Sequence, residues 1–159
     1  MKKLFLLCFV FIAGQIFSQN LSILERQIIM ASPEEMLQIV HNRSLESELN
    51  SIYEHIEDSD TDGLIELYSS YFPGITEEEC MFLLIKLILV VSLGSGNEYG
   101  VDMGLDILEM CGDFESSDIT GLSEIEQAFI NSTYWKDCMA FYKMFDVEAF
   151  IKERFPEYL

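Results

Sequence analysis

Along most of the chain the apolar residues recur at steps of three and four, the spacing of helices buried on one side. Ser32-Pro33-Glu34-Glu35 supplies a capping serine, a proline at the first helical position and a glutamate able to return a hydrogen bond to the cap. The spacing predicts a helix from there. Leu45, Leu49, Ile52, Tyr53 and Ile56 form the next apolar stripe, with Glu46, Glu48, Glu54 and Glu57 elsewhere on the wheel. Thr76 to Glu79 repeats the capping signature and leads into a run from Met81 to Val91 that is apolar all round apart from Lys86. A helix with no polar face must be surrounded by the rest of the fold. Further helices are expected at 101–111, ended by Gly112; at 124–132, capped by Ser123 with Glu126 three on; and at 134–145. A last one follows Asp146 and stops before Pro156. Alternating strand patterns are absent, and glycine and proline fall between the helical segments. The expectation is an all-α, single compact domain of about seven short helices packed around a central apolar helix near 77–93. No repeat period and no low-complexity linker divides it.

The N-terminus breaks the helical pattern. Lys2 and Lys3 precede an apolar run of eleven residues, Leu4 to Gly14, and a short exit ending at Ser18. That arrangement reads as a secretory signal peptide cleaved after Ser18, leaving 19–159 as one acidic helical domain. The run is too short for a membrane span, which needs about twenty residues. Cys8 stands behind Leu7, where a lipoprotein signal has a small residue, so no lipid anchor is expected. The expected location is outside the cytoplasm, in the periplasm or beyond the cell.

Charge then narrows the partners. The 159 residues carry 9 basic and 28 acidic side chains, for a formal charge of −19, yet 50% are hydrophobic and 13% aromatic. A chain this apolar folds despite its charge. A surface this negative repels phosphate backbones and anionic lipid, which excludes nucleic acid and leaves no membrane attachment after cleavage. Loss of residues 1–18 removes two lysines and no acid, taking the charge to −21. Between Ser44 and Tyr134 twenty acids face a single base, Lys86, whereas Lys136, Lys143, Lys152 and Arg154 crowd the C-terminal end. Blocks of one sign mark either a solvated face or a face for a partner of opposite sign.

Candidate chemistry is sparse. Asp58-Ser-Asp-Thr-Asp-Gly63, between two predicted helices, resembles the first half of a calcium loop, with alternate aspartates and a glycine for the sharp turn. Within the loop Glu66 is the one acid beyond that glycine, and Ser69 occupies the place of the closing bidentate glutamate. A calcium site formed by Asp58, Asp60, Asp62 and Glu66 is therefore an alternative to a plain turn in which Asp62 caps the following helix. Asp102, Asp106, Glu109 and Asp113 line one helix face at steps of four, three and four. Like charges so spaced repel by a few tenths of a kcal/mol each, and acids near a helix C-terminus oppose its dipole at about 0.3–1 kcal/mol. The row disfavours its own helix, which points to solubility or to a cationic partner. Lys86 requires a carboxylate, with its stem along the core and its head reaching an acid at the surface.

Beyond residues 1–18 the cysteines are Cys80, Cys111 and Cys138, which allow one disulfide of unspecified pairing or three buried thiols. His41 and His55 have no cysteine or histidine at ligand spacing, against a zinc site. The stretch Gly94 to Gly100 follows a helix rather than a strand and lacks the spacing of a dinucleotide loop. Hydrolase elbows, metalloprotease helices and phosphate loops are missing. Asn20, Asn42 and Asn131 head N-x-Ser/Thr triplets, acceptors only in a secreted eukaryotic chain.

Three functions follow as expectations. The first is an exported, non-enzymatic protein-binding or inhibitor module, similar in size and charge to immunity proteins that cover a toxin's basic cleft with an acidic surface. Its docking residues would be Asp102, Asp106, Glu109, Asp113, Glu57 and Asp58, with no cofactor required. That similarity is one of class and rests on no motif. The second is a calcium-binding helical module using the loop at 58–66. The third is a small envelope hydrolase working through a carboxylate pair.

Overall fold

Side-chain caps set most of the helix starts. The computed structural model describes residues 21–116 and 120–158, so the expected signal peptide, Asn20 and Asp118 lie outside it. Among the described residues, nine α-helices and no strand occur: α1 (Ile23–Met30), α2 (Pro33–His41), α3 (Glu46–Glu57), α4 (Thr61–Tyr71), α5 (Glu77–Gly94), α6 (Glu98–Ser116), α7 (Glu124–Asn131), α8 (Thr133–Met144) and α9 (Val147–Arg154). Short 3-10 turns at Arg43–Leu45 and Pro156–Tyr158 complete the order. Ser22, Ser32 and Ser123 each exchange two hydrogen bonds with the glutamate three residues on, opening α1, α2 and α7. Thr76 caps α5 by accepting from the Glu79 amide at 3.1 Å. The Glu79 carboxylate does not return that bond; it accepts from the Ser132 hydroxyl at 3.1 Å and so ties α5 to the start of α8.

The all-helical single domain expected from the apolar spacing is the fold. Its axis is α5, on which α1, α2, α3, α4, α6, α7 and α8 all pack. Leu83, Leu87, Leu89, Val90, Val91 and Leu93 of α5 are fully buried. Apolar residues on every side of the helix thus find partners on every side. One end of the core is an aromatic cluster in which Phe129 of α7 lies 4.1 Å from the Trp135 ring and 4.9 Å from Phe82. A second group has Phe145 stacked on Phe141 and tilted against Phe150, each at 5.1 Å between ring centroids. No helix among the described residues is long and apolar enough to cross a membrane.

Three boundaries differ from the expected ones. Helix α1 was not anticipated, because within its eight residues only Leu24, Glu25, Ile28 and Ile29 are buried, and one of these is an acid. Helix α6 begins at Glu98, one turn before 101, and passes through Gly112 to Ser116. Glycine ends a helix when it is free to turn left-handed. Gly112 instead stays helical, and Tyr142 of α8 lies against it, with its hydroxyl 2.8 Å from where a Cβ would stand. Gly104 serves closer packing: a Cβ there would meet the Leu93 side chain of α5 at 2.6 Å and the Leu93 backbone nitrogen at 3.2 Å. Between α5 and α6, Gly96 takes a left-handed φ of 68° that only glycine adopts without strain.

Two buried cations lock the periphery. Lys86 is 1% exposed, and its ammonium donates to Ile29 O at 3.0 Å, Ala31 O at 2.7 Å and Asp137 Oδ2 at 2.8 Å. The carboxylate partner is present on α8. The head, however, is buried rather than at the surface, because the C-terminal carbonyls of α1 supply the other two acceptors. Arg154 of α9 donates to Glu46 Oε2 and to Val40 O, both at 2.6 Å, clamping the last helix onto α2 and α3.

Candidate protein-binding face

Helix α6 turns Val101, Gly104, Leu108 and Cys111 into the core, and the opposite side of the same wheel is therefore left to solvent. Asp102, Asp106, Glu109 and Asp113 are all exposed on that side. None of the four forms an ion pair among the described residues. Because α6 starts one turn earlier than expected, Glu98 joins the row four residues before Asp102. Met103 and Met110 stand among the acids with 37% and 39% of their surface exposed. The end of α6 is less bare than its sequence suggests, for Lys143 of α8 reaches Glu115 at 3.0 Å. Both groups of that pair are largely exposed, which limits its worth to about 0–1 kcal/mol.

At its start the row opens on a cleft of about 320 Å3 between α6 and the C-terminal segment. Val101 and Leu105 of α6 with Ile151 and Phe155 form its apolar floor. Glu98, Asp102 and Tyr158 form the rim. The Tyr158 hydroxyl donates to Glu98 Oε1. That hydrogen bond, followed by the charges of Glu98, Glu157 and Asp102, raises the phenol above its ordinary value, since ionisation there would set a third negative charge beside the carboxylates. Sequence reasoning missed Glu98 and Tyr158. A helix start at 98 would have revealed the first; the second is brought in only by tertiary folding.

Glu57 and Asp58, expected in the same docking set, belong to a different element. Both are exposed at the end of α3, where Asp58 is the C-terminal cap residue. Helix α3 meets the beginning of α6 through Asn97 Nδ2 donating to Asn50 Oδ1 at 3.5 Å and through the Tyr53 ring beside Gly100. Burial raises the Tyr53 phenol from its ordinary value, and the nearby Glu57 carboxylate adds to the effect. Glu57 is thus partly engaged with its own helix.

The aspartate loop has a different division of labour from the expected one. Asp60, not Asp62, caps α4, its Oδ1 accepting from the Gly63 amide at 2.7 Å. Ser59 donates to His55 O at 2.6 Å and closes the turn. Asp60, Asp62 and Glu66 border an open hollow on α4, with Asp58 on the preceding helix end. Among the described residues no group of three or more His, Cys, Asp or Glu side chains converges as a metal site. Among the described residues, Cys80, Cys111 and Cys138 are buried free thiols. Burial pushes Cys111 up to about 12 and raises Cys138 as well, so neither is a ready nucleophile. Glu98 and Asp102 do share a cleft, yet both are exposed.

Fold and face together define a class: a small all-α domain with an acidic helix face whose row Asp102, Asp106, Glu109 and Asp113 forms no ion pair among the described residues. Comparison with protein-family models, curated proteins and solved structures returns no match.

Proposed function

We propose that the chain is an exported protein-binding module of the inhibitor kind, neutralising a basic protein partner by covering it with the acidic face of α6, as immunity proteins do. The observation that carries this reading is the row Asp102, Asp106, Glu109 and Asp113: four exposed carboxylates on one face that repel one another along the helix and form no ion pair among the described residues. Such a row costs folding free energy and is explained by what it meets outside the molecule. The methionines among the acids support the same reading, since flexible thioethers adapt to varied partner surfaces. The formal charge, −19 for the full chain and −21 without residues 1–18, draws in a basic partner, and the row localises the attraction on that face.

Charge reversal tests it. A variant carrying Asp102→Lys, Asp106→Lys, Glu109→Lys and Asp113→Lys keeps a native circular dichroism spectrum, because all four side chains are exposed. It loses the protein that the unaltered chain retains from its native envelope after crosslinking and mass spectrometry. Retention of that same protein by the variant would overturn the reading.

A further inference from the structure

We infer that the cleft at the start of α6 is an anchor pocket for one lysine or arginine side chain of the basic partner. Its aliphatic stem lies on Val101, Leu105, Ile151 and Phe155, and its charged head takes the place of the Tyr158 hydroxyl between Glu98 and Asp102. The inference rests on the reading of α6 as the partner-binding face and adds where on that face the contact is made.

A row of exposed acids accelerates encounter but holds little, because exposed ion pairs are worth about 0–1 kcal/mol. Residence comes from side chains that enter a pocket and leave water there. Of the four acids in the expected row, Asp102 lines this pocket. Its volume of about 320 Å3 lies at the lower end of the range of small-ligand sites, ~300–1,000 Å3. The pocket matches the chemistry of a long cationic side chain, which joins an apolar stem to a charged head, with an apolar floor and an acidic rim. An acid would be repelled by the rim, and a purely apolar side chain would leave the two carboxylates to lose water without a partner.

The cations nearest in the described chain do not fill the place. Arg154, one residue from Phe155, turns away to Glu46 and Val40, and Lys152 forms no ion pair among the described residues. Tyr158 occupies the rim as a neutral donor. It belongs to the terminal 3-10 turn, is 63% exposed, and touches the Phe155 ring at 6.1 Å between centroids. A cation offers Glu98 a stronger hydrogen bond than a phenol does, and leaves the Tyr158 ring face available to a guanidinium.

The test uses n-hexylammonium, a lysine-like stem and head, with 1-hexanol as the uncharged control, titrated into the protein and followed by methyl NMR. Saturable shifts are expected at Val101, Leu105 and Ile151 with the ammonium, and affinity at least about tenfold weaker with the alcohol. Glu98→Gln with Asp102→Asn weakens the ammonium about tenfold, Glu77→Gln with Glu78→Gln, exposed at the start of α5 and outside the face, leaves it unchanged, and Tyr158→Phe tightens it about fivefold by freeing Glu98. Equal affinity for the alcohol, shifts spread evenly along 106–113, or an unchanged affinity in the Glu98/Asp102 or Tyr158 variants would overturn the anchor. These readouts need no partner, so they fail independently of the partner capture that tests the acidic face.

Discussion

Lys86 carries the most structural consequence of any single side chain. Its three acceptors come from two separate segments, the end of α1 and Asp137 on α8, so one ammonium joins both to the central helix. Replacing it with a methionine of similar length leaves two carbonyls and a carboxylate without their donor. The expected loss for Lys86→Met is about 3 kcal/mol, measured by urea denaturation. A double variant with Asp137→Leu should recover part of it, since the orphaned carboxylate is then gone. Tyr68 shows the same economy on a smaller scale: its hydroxyl donates to Glu25 Oε1 at 2.5 Å, while Glu25 also closes the cap of α1. Burial, then the bond to Glu25, raises this phenol well above its ordinary 10.0. A raised folded value means that the contribution is fully present below the unfolded value and is lost as pH rises toward the folded one. Stability should therefore decline from about pH 10 upward. Absorbance titration should show Tyr68 ionising only as the protein unfolds.

At the scale of elements, the two glycines of α6 make opposite predictions. Gly104→Ala drives a methyl into Leu93, including its backbone nitrogen, and should cost about 1–3 kcal/mol despite the better helix propensity of alanine. Gly112→Ala meets only the far end of Tyr142, which can swing aside, so the propensity gain of about 1 kcal/mol largely offsets the contact and the change is close to neutral. Paired thermal melts decide this. The same two residues explain which boundaries were legible. Caps such as Ser32 and Ser123 act within one turn and could be read directly; Gly112 looked like a stop because its neighbour Tyr142 is thirty residues away in sequence. Lys143 likewise relieves the end of α6 from another helix. Asp60 and Asp62 were both eligible caps, and the choice fell to the one whose carboxylate reaches the Gly63 amide.

For the whole molecule, charge acts at a distance that helix boundaries do not touch. With a formal charge of −19 and an exposed acidic row, capture of a basic partner should be fast at low salt and slow steeply as ionic strength rises, whereas dissociation changes little. Stopped-flow measurement between about 10 and 500 mM salt separates the two, the screening length falling from about 30 Å toward a few ångströms over that span. A rate of association insensitive to salt would contradict electrostatic steering.

The apolar spacing by itself determined the all-helical class, the central place of α5 and the acidic side of α6, because amphipathicity and solvent avoidance are local properties of a repeating pattern. Only the tertiary structure decided where Lys86 finds its acceptors, that Gly112 stays helical, and that Tyr158 meets Glu98 over a shared cleft. Each of these joins residues from separate helices. Their pairing is settled by packing geometry, which no stretch of sequence contains alone.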